Sequence, residues 1–159
     1  MKYRGLNDHS RVWIYQVNRK LNDKEVSEIK SHGDRFISEW AAHGKDLQAD
    51  FQIFYNRFIV LFADETQVKA SGCSIDSSVR FIKEIEAAYG LDLFDRLNIA
   101  FKVNNKIDYL RINDFQTALH KGHLSESTIV FNNLVETKAA FETQWEVPLK
   151  ESWHSKMLA

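Results

Sequence analysis

Apolar and polar positions along the chain change period several times, and each change marks a predicted element. Arg11-Val12-Trp13-Ile14-Tyr15-Gln16-Val17 is β-branched and aromatic and predicts a strand. Asn22 stands three residues before Glu25, the spacing of a reciprocal helix cap. From there Val26, Ile29, Gly33, Phe36, Ile37 and Trp40 recur at helical spacing up to a stop at Gly44. Such a helix runs about 20 residues and about 30 Å. Gly33 falls on its apolar stripe, which points to close approach of the layer beneath.

Leu47 to Ile53 alternates, the pattern of a strand with one wet face. Asn56-Arg57 predicts a turn into the fully apolar strand Phe58 to Ala63. Residues 64–74 read as loop. A helix is expected from about Ser77 to Tyr89, with Val79, Ile82 and Ile85 inward and Gly90 at its end. Leu97 to Val103 and Ile107 to Ile112 predict a second hairpin around Asn104-Asn105-Lys106. A short helix follows from Asp114 towards Gly122, then a strand from Thr128 to Phe131. Thr137 caps a helix that runs through Trp145 and stops before Pro148. Leu149, Trp153 and Met157 share one side of a last short helix. With Trp145 and Leu158 they read as closing the core; contact with a second copy or another protein is the other reading.

Ala41-Ala42-His43-Gly44-Lys45-Asp46-Leu47 and Ala87-Ala88-Tyr89-Gly90-Leu91-Asp92-Leu93 agree at five of seven positions. One reading is a helix–hairpin unit used twice; the other is two helices ended by glycine for separate steric reasons. The fold expected is α+β: a two-layer, mostly antiparallel sheet covered by helices, one domain over 1–159 with residues 1–9 flexible.

A chain of 159 residues can bury a sizeable core without staples. Its single cysteine excludes an internal disulfide and suits a reducing compartment. The first residues show no apolar signal region, and the longest apolar run, Phe58 to Ala63, falls far short of the roughly 20 residues of a membrane helix. A cytoplasmic protein without membrane insertion is expected. Net charge is −1, with 21 basic and 22 acidic residues interspersed, so no basic stripe marks a general nucleic-acid binder. A monomer or homodimer that meets a small molecule or a protein partner fits these bounds.

The chemistry concentrates in Ser71-Gly72-Cys73-Ser74-Ile75-Asp76-Ser77-Ser78, which holds the only cysteine and leads into a helix. A helix start offers unpaired N–H groups and the positive end of the dipole, which favour a thiolate or a bound anion. In a catalytic reading Cys73 is the nucleophile and His43 its base. In a binding reading Ser71, Gly72, Ser74, Asp76 and Ser77 contact the ligand. Tyr55, Asn56, Arg57 and His43 then form its walls, and Arg57 or Arg96 supplies positive charge. In a packing reading Ser74 or Asp76 caps the helix and Cys73 fills a tight turn. Asp76 tells against activation, because a carboxylate beside the sulfur disfavours the thiolate. His120 and His123, with Glu126 following, fall short of a zinc set, since the lone cysteine lies 47 residues before His120. No metal or cofactor is expected.

Ser10-Arg11-Val12-Trp13-Ile14-Tyr15-Gln16, Tyr55-Asn56-Arg57-Phe58, Ser71-Gly72-Cys73-Ser74-Ile75-Asp76 and Phe131-Asn132-Asn133 resemble an uncharacterised family of short bacterial proteins commonly labelled "ABC transporter ATPase". The resemblance covers nearly the whole chain and implies a bacterial cytoplasmic protein. The label fails on chemistry. The only Gly-Lys, Gly44-Lys45, is followed by Asp46 and lacks the glycine-rich loop that cradles phosphates. Asp64-Glu65 after an apolar strand mimics a magnesium-holding pair, with no phosphate loop to face it. The function expected is binding of a small molecule, an anion or a partner through Ser71–Ser77. A cysteine-dependent enzyme is the alternative, and the sequence leaves the question of enzymatic activity open.

Overall fold

The computed structural model describes residues 2–42 and 44–159; His43 lies outside the described residues. The fold is α+β with antiparallel sheets, and its contacts gather into two compact units. One comprises the chain up to Phe94 together with Glu136–Ala139, the other Asp95–Val135 and Ala140–Ala159.

The first unit is built on a three-stranded sheet of order β1-β5-β4, formed by β1 (Arg11–Gln16), β4 (Gln48–Phe54) and β5 (Phe58–Asp64). A two-stranded ribbon, β2 (Ala41–Ala42) with β3 (Lys45–Asp46), precedes β4. Tyr15, Phe51, Ile59 and Leu61 pack with Ile29 of α1 (Asp23–Glu39) and with Ile82 and Ile85 of α2 (Gly72–Tyr89). The central strand β5 is buried from Phe58 to Ala63, which explains its unbroken apolar run.

α1 opens as its spacing predicts. Asn22 Oδ1 accepts the Glu25 N–H at 2.8 Å, and Glu25 Oε1 accepts the Asn22 N–H at 3.0 Å. It closes earlier than expected, at Glu39, because Trp40 turns extended and Ala41–Ala42 pair with Lys45–Asp46. The two echoing segments therefore differ: Ala41-Ala42 form a strand, while Ala87-Ala88 lie in the last turn of α2 before Gly90, left-handed at φ 62°. The repeated unit finds no support there.

The alternation of β4 does not leave a wet face. Asp50 and Gln52 are buried, and Asp50 Oδ2 accepts the Tyr3 N–H at 2.7 Å and the Gln52 Nε2 amide at 2.8 Å. Tyr3 sits in a 3-10 turn, Lys2–Gly5, within the segment expected to be flexible, and its ring stacks on Phe62 at 4.5 Å. A polar strand face is thus satisfied by a local cap instead of by water.

The second unit carries a four-stranded sheet of order β7-β6-β8-β9: β6 (Asn98–Val103), β7 (Lys106–Arg111), β8 (Ile129–Phe131) and β9 (Glu146–Pro148). Phe115 and Leu119 of α3 (Ile112–His120) share a core with Ile99, Phe101, Val130, Leu149 and Met157. The chain end folds back as 3-10 turns at Leu149–Glu151 and Trp153–Leu158, which closes this core as the apolar spacing implies. α4 (Lys138–Gln144) stops before Trp145, and β9, absent from the sequence expectation, follows it.

Candidate functional site

From Gly72 to Ser77 the segment is helix, not loop. α2 begins at Gly72, five residues before the expected start, and its N-cap is Ser71, whose Oγ accepts the Ser74 N–H at 3.2 Å. Neither Ser74 nor Asp76 caps it. Glycine at the first helical position reads locally as loop, because it carries the largest backbone entropy loss. Tertiary contacts override that preference: the indole Nε1 of Trp40 donates to the Ser74 carbonyl at 2.8 Å, and Ile75 packs beside Trp40, Ala63 and Ala70.

The hydroxyls proposed as ligand donors are engaged within the helix. Ser74 Oγ donates to the Ser71 carbonyl at 2.9 Å, and Ser77 Oγ donates to the Ser74 carbonyl at 2.8 Å. Ser74 is buried, whereas Gly72, Cys73 and Asp76 are exposed. A Cβ at Gly72 would meet no atom within 4 Å, so its surroundings are open. Helix geometry leaves the N–H groups of Gly72 and Cys73 without intrahelical acceptors.

A second set of contacts fixes the approach to this turn. Glu65 Oε2 accepts the Ala70 N–H at 2.6 Å, and its Oε1 lies 3.7 Å from Arg11 Nε. The Arg11 guanidinium lies over the Trp13 ring, 4.7 Å from its centroid, and Trp13 meets Trp40 edge to face at 5.9 Å. Arg11 thus reaches the start of α2 by two routes, one through Glu65 and one through the two indoles. The carboxylates that mimic a magnesium pair have other roles: Asp64 Oδ1 accepts the Thr66 N–H at 2.9 Å, and Glu65 holds Ala70. A shallow hollow of about 50 Å³ lies beside Asp64, lined also by Asp46, Gln48 and Thr66. Ligand pockets run to roughly 300 Å³ and more, so this one suits water.

Tyr55, Asn56 and Arg57 are not gathered here. Tyr55 and Asn56 are both left-handed, at φ 55°, and the Arg57 N–H closes their turn on the Phe54 carbonyl at 3.0 Å. That turn stands at the opposite end of β5 from Glu65, about 20 Å along the seven-residue strand. It does not wall the start of α2. Arg96 belongs to the other unit. His43, the expected base, falls outside the described residues, and among those described no side chain hydrogen-bonds to Cys73.

Asn132 and Asn133 serve the fold: Asn133 Oδ1 accepts the Trp145 indole N–H at 2.9 Å, and Asn132 Oδ1 accepts the Leu134 N–H at 3.1 Å. Asp95 pairs with Arg111 instead of its neighbour Arg96. The Leu97 N–H and the Arg111 guanidinium together hold its carboxyl below the usual range. Among the described residues no three metal-ligating side chains come together, His120 and His123 included.

One hydroxyl–imidazole pair escaped sequence reading. Ser152 Oγ and His154 Nδ1 are 2.7 Å apart, and His154 stacks on Trp153 at 4.0 Å. Two residues apart near the chain end, they match no nucleophile motif. Burial pushes the His154 pKa down to about 4, and with His154 2% and Ser152 7% exposed the pair offers no path for a substrate.

No family model, no curated protein and no solved structure matches this chain. No helix among the described residues is long and apolar enough to cross a membrane.

Proposed function

We propose that this chain is a binding domain of the bacterial cytoplasm, allied to the short bacterial proteins it resembles, and that it contacts an anionic ligand or partner through the exposed first turn of α2. The observation behind this reading is that the turn is held from beneath and open above. Trp40 and the Ser71 cap fix its backbone, while Gly72 and Cys73 face solvent with N–H groups that the helix leaves unused. A preset backbone loses little entropy on meeting a ligand.

An amide NMR titration with inorganic phosphate and with an acidic peptide tests it. The expected result is saturable shifts at Gly72 and Cys73 that disappear in Ser71→Pro, which removes the cap. Shifts spread evenly over the surface, or none with either probe, overturn it.

The exposure of Cys73 supports the competing reading, a cysteine nucleophile. Alkylation by iodoacetamide across a pH series separates the two. A midpoint near the ordinary thiol value of about 8.5 supports binding, and one below about 7 supports the nucleophile.

A further inference from the structure

We infer that the N-terminal turn Lys2–Gly5 is a removable cover on a binding slot for an aromatic amine, with Tyr3 as the occupant supplied by the chain itself. Alternation and register build the slot. Asp50, Gln52 and Phe54 share one face of β4, and Phe62 stands opposite Asp50 on β5. Phe51 and Ile53, one residue out of step, face the core that Ile29 and Ile82 of the helices complete. Tyr3 fills the slot from the turn. Its N–H donates to Asp50 Oδ2 at 2.7 Å, while its ring stacks on Phe62 at 4.5 Å and meets Phe54 edge to face at 5.8 Å. The N–H and the ring belong to one residue and are joined through Cα and Cβ. The slot therefore already holds the skeleton of an arylethylamine.

Asp50 supplies the charge complement. A buried strand position beside aromatic rings suits an apolar side chain, and burying a carboxylate there costs free energy that hydrogen bonds must offset. Asp50 is 3% exposed, and both its oxygens accept. Oδ1 takes the Phe51 N–H at 2.9 Å, and Oδ2 takes the Gln52 side-chain amide at 2.8 Å beside the Tyr3 N–H. These three donors are neutral amides. An ammonium in the place of the Tyr3 N–H makes a charge-assisted bond, about twice as strong as a neutral one. An amine that carries a ring can thus displace a turn that offers the same ring with a weaker donor.

The cover can lift without breaking the sheet. From Lys2 to His9, Tyr3 is the one buried residue; Lys2, Arg4 and Gly5 are exposed and Leu6 is half-buried. The Tyr3 N–H bonds to a side chain and takes no part in the β4–β5 ladder. The chain is fixed again from Asp8, whose carbonyl accepts the Ala139 N–H at 3.0 Å, and from Ser10, whose carbonyl accepts the Lys138 N–H at 2.8 Å. The slot shares no residue with the first turn of α2.

Amide NMR titrations with tyramine and with para-ethylphenol, which has the same ring without the ammonium, test this. In the wild type, tyramine is expected to give saturable shifts at the Tyr3, Asp50 and Gln52 amides, with para-ethylphenol at least about tenfold weaker. No saturable shift at those amides, or equal affinity for the two probes, overturns the inference, and neither readout depends on a variant's folding. Tyr3→Ala vacates the slot and should bind tyramine at least about tenfold more tightly than the wild type, because no turn competes for Asp50. Equal affinity of Tyr3→Ala and the wild type for tyramine also overturns it. Asp50→Asn should bring the two probes to equal affinity, and a preference for tyramine that survives this substitution counts against the inference.

Discussion

Gly33 of α1 lies so close to the ring of Phe51 that a Cβ at position 33 would stand 2.1 Å from Cδ1. Phe51 is fully buried and meets Phe81 edge to face at 6.1 Å, so its ring has nowhere to retreat. Gly33→Ala would gain about 1 kcal/mol of helix propensity, yet forcing the ring aside outweighs it. A net loss of about 2 kcal/mol is expected from urea unfolding. Gly72→Ala, in open space, is the control and should be neutral or slightly stabilising.

The position of the α2 cap makes a second test. Ser71→Ala removes the acceptor for the Ser74 N–H and should lower stability by about 1 kcal/mol. Asp76→Ala, at an exposed helical position without a capping role, should fall within about 0.5 kcal/mol of the wild type. The reverse ranking in thermal unfolding would return the helix start to the position expected from sequence.

His154 gives the protein an acid-sensitive stability. Its pKa is about 4 when folded against an ordinary value of 6.5, so between these pH values the unfolded chain binds a proton that the native chain refuses. Stability from this group is complete above about pH 6.5 and declines as pH falls towards 4, by about 3 kcal/mol in all. Urea unfolding at pH 7 and pH 4.5 measures it, and His154→Gln should flatten that difference.

Glu25 responds in the same direction over a lower range. The Arg19 guanidinium, then the Asn22 N–H, hold its carboxyl at about 2. The stabilisation is present above about pH 4.5 and is lost as pH falls through 2. Both side chains touch water, so the effect on stability is small. An NMR titration should show the Glu25 midpoint rising in Arg19→Met while the helix persists.

Features legible in the residue order were those with local causes. The Asn22–Glu25 cap joins atoms three residues apart, and the turn at Asn104-Asn105 rests on the tolerance of asparagine for left-handed backbone; the turn expected at Asn56-Arg57 forms one residue earlier, with Tyr55 and Asn56 left-handed. The close approach at Gly33 could be read because a glycine on an apolar stripe has few other uses. The start of α2 could not. Gly72 and a run of serines look like loop until Trp40, 34 residues earlier, binds the Ser74 carbonyl.

By itself, then, the sequence determined the α+β class, the order of the main helices and hairpins and the concentration of unusual residues between Ser71 and Ser77, since hydrophobic period and capping act over a few residues. Tertiary structure alone decided that Asp50 and Gln52 are buried, that Trp40 binds the first turn of α2, and that Tyr55–Arg57 stands a strand's length from Glu65, at the far end of β5. Those outcomes depend on which distant groups remove a side chain from water, and that pairing is fixed only once the sheet has formed.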